Sequence, residues 1–281
     1  MKKTVRIIMY LLGIYFSCGI IFWIQGQIFY GLHKFTNFAE KYNHTEMNQI
    51  AYSLSVVIVV VICYEIMKVI RRKDSTLEFF SLKTMNLTGL IYVFIVVTLS
   101  SSIIGLTMDI SGFTAEEVSP EYYEQVIETK EEGNQILRFI NTNLSAPLRE
   151  EFVLRGVVLP LFILLFLELK LSKKTSVVLA ISIQAIIFGL LHGNMFQISF
   201  AIPVGIVFGF FMVKHKNILL NVFMHFLFNA SPLTITATKN HTLVLVSLIM
   251  ALVGTVYLVE FEGYLVFKSF KINKTILKTE E

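Results

Sequence analysis

Eight long apolar stretches dominate the chain, at 5–28, 50–70, 87–106, 146–167, 175–192, 195–213, 218–232 and 243–261. The hydrocarbon core of a bilayer is ~30 Å thick and an α-helix rises ~1.5 Å per residue, so about 20 apolar residues cross it. The expected fold is an all-α polytopic membrane protein of about eight transmembrane helices. Composition agrees, since 55% of residues are hydrophobic, only 16% are charged, and mean hydropathy is +0.69. Soluble domains carry about 25% charged residues, and disorder needs low hydrophobicity. The net charge of +4 comes from Lys and Arg in the connections rather than from a basic domain, which argues against a nucleic-acid partner. Cys18 and Cys63 both lie in apolar runs, so neither a disulfide framework nor a CxxC zinc site can be built, and both read as packing residues.

Orientation follows from the bias of Lys and Arg between the two sides. With the N-terminus cytoplasmic and eight crossings, 17 of these residues fall inside and 5 outside, and Arg149 and Arg155 sit within the fourth stretch. Both termini are therefore expected in the cytoplasm of a multi-pass cell-membrane protein. The first stretch follows Met1-Lys2-Lys3 without a small-residue cleavage site, which reads as a retained helix and not a signal peptide. Residues 107–135 turn acidic and polar and are expected outside, with a short amphipathic helix near 120–130. A solvated loop and a lid over a substrate entrance both fit this segment. The domain reading is an N-terminal membrane region at 1–140, a core at 141–236 that carries the intramembrane polar residues, and a last span with a basic tail at 237–281. Gly205 and Gly209 form a small-x-x-x-small pair that reads as helix packing.

Ionisable residues inside spans cost at least ~2.5 kcal/mol each, so they tend to be paired and functional. Here they concentrate in three segments, at 146–156, 188–194 and 221–229. In the first, Ser145 is the expected N-cap and Pro147 suits the first turn, which puts Glu150 and Glu151 early in a helix. Glu151 and Arg155 are four apart on one face, in the favourable order. Glu150 points about 100° away in a 3.6-residue helix and has no local partner. The expectation is a division of labour, with Glu151 tied to Arg155 and Glu150 facing a cavity as a general base. In the second segment Phe188 and His192 share a face, with Gly189 and Gly193 allowing close backbone approach. In the third, Asn221, His225 and Asn229 recur every four residues as a polar stripe. Asn221 reads as interhelical glue, while His225 and Asn229 could donate to a developing oxyanion. A carboxylate, two imidazoles and an amide on three spans suffice to activate water and stabilise a tetrahedral intermediate. The same Glu150, His192 and His225 could instead hold a divalent metal such as zinc, with water in the fourth position. No HExxH helix, GxSxG elbow or glycine-rich phosphate loop is present.

Glu-Glu-x-x-x-Arg at Glu150, Glu151 and Arg155, Phe-x-x-x-His at Phe188 and His192, and His-x-x-x-Asn at His225 and Asn229 resemble the three motifs of the CPBP family. These are the CAAX-protease and bacteriocin-processing intramembrane proteases, also called Abi. The resemblance covers about 145–232 and implies an all-α membrane endopeptidase acting on a peptide or membrane-protein substrate. By analogy with the type II CAAX prenyl endopeptidases, Glu150 and His192 would activate the water. His225 and Asn229 would form the oxyanion hole, with Glu151, Arg155 and Phe188 in support. The family label is metalloprotease, and metal-assisted and metal-free chemistry both stay open at this point. The resemblance also implies roles in peptide maturation, bacteriocin self-immunity or envelope regulation. A non-enzymatic regulator or immunity protein, binding a peptide or a partner through the same cavity, is the competing expectation.

Overall fold

The computed structural model describes residues 3–35, 37–73 and 87–231; the last expected span, at 243–261, lies outside the described residues. Among the described residues every regular element is helical. We label α1 (Lys3–Phe35), α2 (His44–Lys73), α3 (Leu87–Ser111), α4 (Pro120–Glu132), α5 (135–168), α6 (Lys173–Leu190), α7 (Met195–His215) and α8 (Ile218–Ala230). Four helices are long and apolar enough to cross a membrane, namely Lys3–Phe35, His44–Arg72, Lys173–Leu190 and Met195–His215, with shorter apolar helices at Gly89–Gly105 and Ile218–Ala230. The chain is a multi-pass membrane protein. Large apolar side chains stand exposed along its outside, among them Phe16 and Trp23 on α1 and Val57 and Val61 on α2. Water would penalise such a surface and lipid does not.

α5 is the hub, packed against α1, α2, α6 and α8. It differs from the expected fourth span in two ways. Its N-cap is Asn134, whose side chain accepts from the Ile136 and Leu137 amides; Ser145 has helical backbone angles and caps nothing. The acidic pair is therefore mid-helix, not in a first turn, and the N-terminal dipole does not act on it. The rod also contains two π segments, Asn141–Ser145 and Glu151–Val158. Each ends two residues before a proline, Pro147 and Pro160. Proline cannot supply the N–H that an α-helix needs there, and the wider π register shifts which carbonyl is left over. All eight residues of the second π segment are buried, including the ion pair described below.

The later helices are joined tightly, which makes them antiparallel neighbours. α5 ends on Lys170 in the left-handed region (φ 67), with the Lys170 amide on the Leu167 carbonyl and the Leu171 amide on the Phe166 carbonyl. That is a Schellman closure, and Ser172 then caps α6 by accepting from the Thr175 amide. The start of α5's partner helix is fixed by charge as well, since Arg6 grips Glu168 through two hydrogen bonds of 2.9 and 2.6 Å.

α6 and α7 approach closely at the small pair. A Cβ on Gly205 would stand 3.0 Å from Phe188 Cδ1 and 3.1 Å from the Ala185 Cα, and one on Gly209 would stand 3.0 Å from Gln184 Nε2. Gly205→Ala is expected to lower stability by about 1–3 kcal/mol through overpacking, measured as thermal unfolding in detergent micelles. An unchanged transition would mean that the two helices can separate without cost.

The acidic segment is helical rather than a bare loop, with the expected amphipathic helix present as α4. It is fastened to the start of α7, where the Phe196 amide donates to Ser119 Oγ (3.1 Å) and the Phe113 and Tyr122 rings stack on Phe196.

Candidate active site

Four polar groups meet inside the helices. Glu151 is fully buried and its carboxylate accepts from Arg155 Nη1 at 2.9 Å, from His225 Nδ1 at 2.8 Å and from Asn221 Nδ2. The Glu151–Arg155 pair expected from their spacing is thus present. His225 and Asn221 reach it from α8, whose four-residue polar stripe faces α5. A carboxylate only accepts, so the hydrogen of the 2.8 Å contact sits on His225 Nδ1, and Nε2 is the free end of the ring.

That free end faces Glu150. The His225 Nε2 to Glu150 Oε2 distance is 3.8 Å, and Glu150 makes no hydrogen bond among the described residues. Its side chain is 19% exposed against 0% for Glu151, so the two adjacent carboxylates occupy different environments. The division falls at the junction where α geometry (Ala146–Glu150) passes into π geometry (Glu151–Val158).

Phe188 organises the cationic side. Its ring lies 4.5 Å from the Arg155 guanidinium carbon and meets His192 and His225 edge-on at 4.9 and 5.9 Å between centroids. Arg155 also approaches Phe208 at 5.5 Å and donates from Nη2 to the Gly205 carbonyl at 3.4 Å. A guanidinium between two aromatic faces keeps a buried cation without water.

His192 sits where α6 ends. Its Nδ1 lies 2.8 Å from the Phe188 carbonyl, an acceptor, so Nδ1 carries the hydrogen and Nε2 of the neutral ring holds a lone pair. Gly193 follows at φ +71 with open space around it, while a Cβ on Gly189 would collide with the Ile202 side chain. Gly189 therefore serves close approach as expected. Gly193 instead supplies a turn that L-residues rarely adopt, delivering the chain to Asn194, which caps α7.

Asn229 stands one turn beyond His225 and donates to the Thr142 carbonyl at 2.8 Å. The reason lies in α5. In the π register the Ala146 amide bonds the Asn141 carbonyl, so the next bond would run from residue 147 to Thr142, and residue 147 is proline. Asn229 fills the vacancy, leaving one of its two N–H groups uncommitted among the described residues. Asn229→Ala is expected to cost only about 1 kcal/mol of stability but about 10²–10³-fold in turnover if the second N–H meets an oxyanion. Equal turnover by the variant in proteoliposomes would remove Asn229 from the chemistry.

Among the described residues no group of three or more His, Cys, Asp or Glu is gathered closely enough to hold a metal ion. Glu150 and His225 face each other across α5 and α8, but His192 is turned to the Phe188 carbonyl on α6. Asn221 is the expected interhelical glue, and its partner is the Glu151 carboxylate. Gln184, which donates to the Gly205 carbonyl at 2.9 Å beside Arg155, carried no signal in an apolar helix.

The family comparison falls on this same region. The family model described as Rce1-like, Type II CAAX prenyl endopeptidase Rce1-like, matches residues 132–231. About a third of the chain is thus similar to that family. The matched segment begins just before the start of α5 and ends with α8, so it contains all three motifs. No curated protein and no solved structure matches the chain.

Proposed function

We propose that the protein is an intramembrane endopeptidase that hydrolyses a peptide bond near the membrane surface. The observation that carries this reading is the Glu150 carboxylate, unbonded and 3.8 Å from an imidazole that a second, buried carboxylate holds in place. In the proposed cycle Glu150 takes a proton from water, aided by the His192 Nε2 lone pair, and the resulting hydroxide adds to the carbonyl carbon. The tetrahedral oxyanion accepts from His225 Nε2 and from the second N–H of Asn229. For that donation the His225 ring must carry both hydrogens; the oxyanion balances its charge, and Glu151 orients the ring as a carboxylate does for a catalytic histidine. Collapse breaks the C–N bond, and the proton on Glu150 passes to the departing amine. Glu151, Arg155, Asn221 and Phe188 position these groups without touching substrate. The wider reading is eight spans with both termini cytoplasmic, a catalytic core at 141–236, and a role in peptide maturation, bacteriocin self-immunity or envelope regulation.

One observation favours a second reading. Asn229 is already bonded to a backbone carbonyl, as it would be in a non-enzymatic regulator that uses the same fold to bind a peptide. The test compares peptide termini in membrane and secreted fractions of cells carrying either this protein or Glu150→Gln at matched abundance. Termini that appear only with the intact carboxylate support the endopeptidase and identify its substrate. Identical profiles with an unchanged cellular phenotype would establish the binder.

A further inference from the structure

α5 carries two buried arginines, and the helices treat them differently. Arg155 has Glu151. Arg149 is 6% exposed and has no acidic partner among the described residues. Its guanidinium carbon lies over the Tyr52 ring, 3.9 Å from the centroid, its Nη1 donates to Gln25 Oε1 at 3.1 Å, and its Nε is buried without an acceptor among the described residues. These neighbours belong to a polar seam between α1, α2 and α5, in which Gln25 bonds Asn48 and Asn141 bonds both Ser53 and the Gln49 carbonyl. Among the described residues the seam offers Arg149 dipoles and a ring face but no negative charge. A packing clamp would need only those two contacts, and a neutral side chain could supply them. A buried guanidinium with unused N–H groups is instead suited to a carboxylate, which it grips with two parallel bonds. Arg149 is also the residue before Glu150, and the charges of both act on the Tyr52 hydroxyl.

We infer that Arg149 is the carboxylate-binding residue of the peptide site, holding either the chain terminus or an acidic side chain of the peptide presented to Glu150. This rests on the reading of the site as one that receives a peptide. A peptide carboxylate is preferred to a lipid phosphate because Arg149 stands next to Glu150 on α5 and the charges of both act on Tyr52.

The test uses the full chain carrying Glu150→Gln in detergent micelles without added lipid, so that peptides bind without being cut. Three synthetic mixtures of eight-residue peptides serve as probes. The first lacks Asp and Glu and ends in a free carboxylate. The second is the same mixture ending in a carboxamide. The third ends in a carboxamide and carries one Glu per peptide. Retention is read by mass spectrometry. The first or third mixture is expected to be retained about tenfold or more over the second, and which of the two prevails tells terminus from side chain. Adding Arg149→Gln should bring the ratio to about one.

Equal retention of all three mixtures would overturn the assignment, and that comparison needs no Arg149 variant and so survives misfolding of one. A preference that persists in a folded Arg149→Gln protein would also overturn it, by placing the carboxylate elsewhere. So would Arg149-dependent retention of phospholipid without any peptide preference. Cleavage by the unmutated protein is scored separately. A carboxylate preference without Glu150-dependent cleavage would sink the endopeptidase and leave the binding site standing.

Discussion

A Glu150→Gln protein is expected to cleave its substrate about 10²–10⁴-fold more slowly and to unfold at the same temperature as the unmodified chain. The two halves of that expectation have separate causes. The amide keeps the shape of the side chain but cannot take a proton from water, so the step that generates hydroxide loses its base. Stability is spared because Glu150 gives the fold almost nothing. It forms no hydrogen bond among the described residues, and its contact with His225 is long at 3.8 Å. Rates in proteoliposomes on the peptide identified from the cellular comparison, beside thermal unfolding in micelles, check both. Retained cleavage would remove Glu150 as the base. A collapsed transition would show that it holds the helices together, and the activity loss would then say nothing about chemistry.

Glu151→Ala should do the opposite and destabilise the protein by about 3–5 kcal/mol. The substitution leaves the Arg155 cation buried with no counter-charge, and it strands His225 Nδ1 and Asn221 Nδ2, the other two donors to the same carboxylate. Most of the cost is the penalty of the unpaired charge and not the worth of the pair. The double change Glu151→Leu with Arg155→Met should therefore recover much of the stability while His225 remains unheld and turnover stays low. Denaturant unfolding of the single and double variants measures this. If Glu151→Ala unfolds like the parent chain, the buried network does not support α5 and α8. If the double variant cleaves normally, orientation of His225 by Glu151 is not part of the mechanism.

Much of the site was legible in the sequence because its signals are local. Charges in an apolar stretch need a reason to be there, and the Glu151–Arg155 spacing alone paired those two. The four-residue stripe on α8 likewise put Asn221, His225 and Asn229 on one face. The misreadings came where local rules assume an unbroken α-helix. Ser145 and Pro147 look like a helix start, yet they lie inside α5, because a π segment absorbs the proline and a side chain from α8 bonds the carbonyl it leaves over. The same assumption made Gly193 a packing residue, although its space is open and its backbone angle is what matters.

Membrane residence and the residue types of the site follow from the sequence by itself, since apolar length and the cost of an intramembrane charge are properties of each segment alone. The tertiary structure decided who meets whom. The bonds from Asn221 and His225 to Glu151 and from Asn229 to Thr142 span 70, 74 and 87 residues of chain, and no local pattern carries such pairings. It also decided that Arg149 has no acid beside it among the described residues. Whether a buried charge is balanced depends on every helix packed around it, and that is settled only when those helices come together.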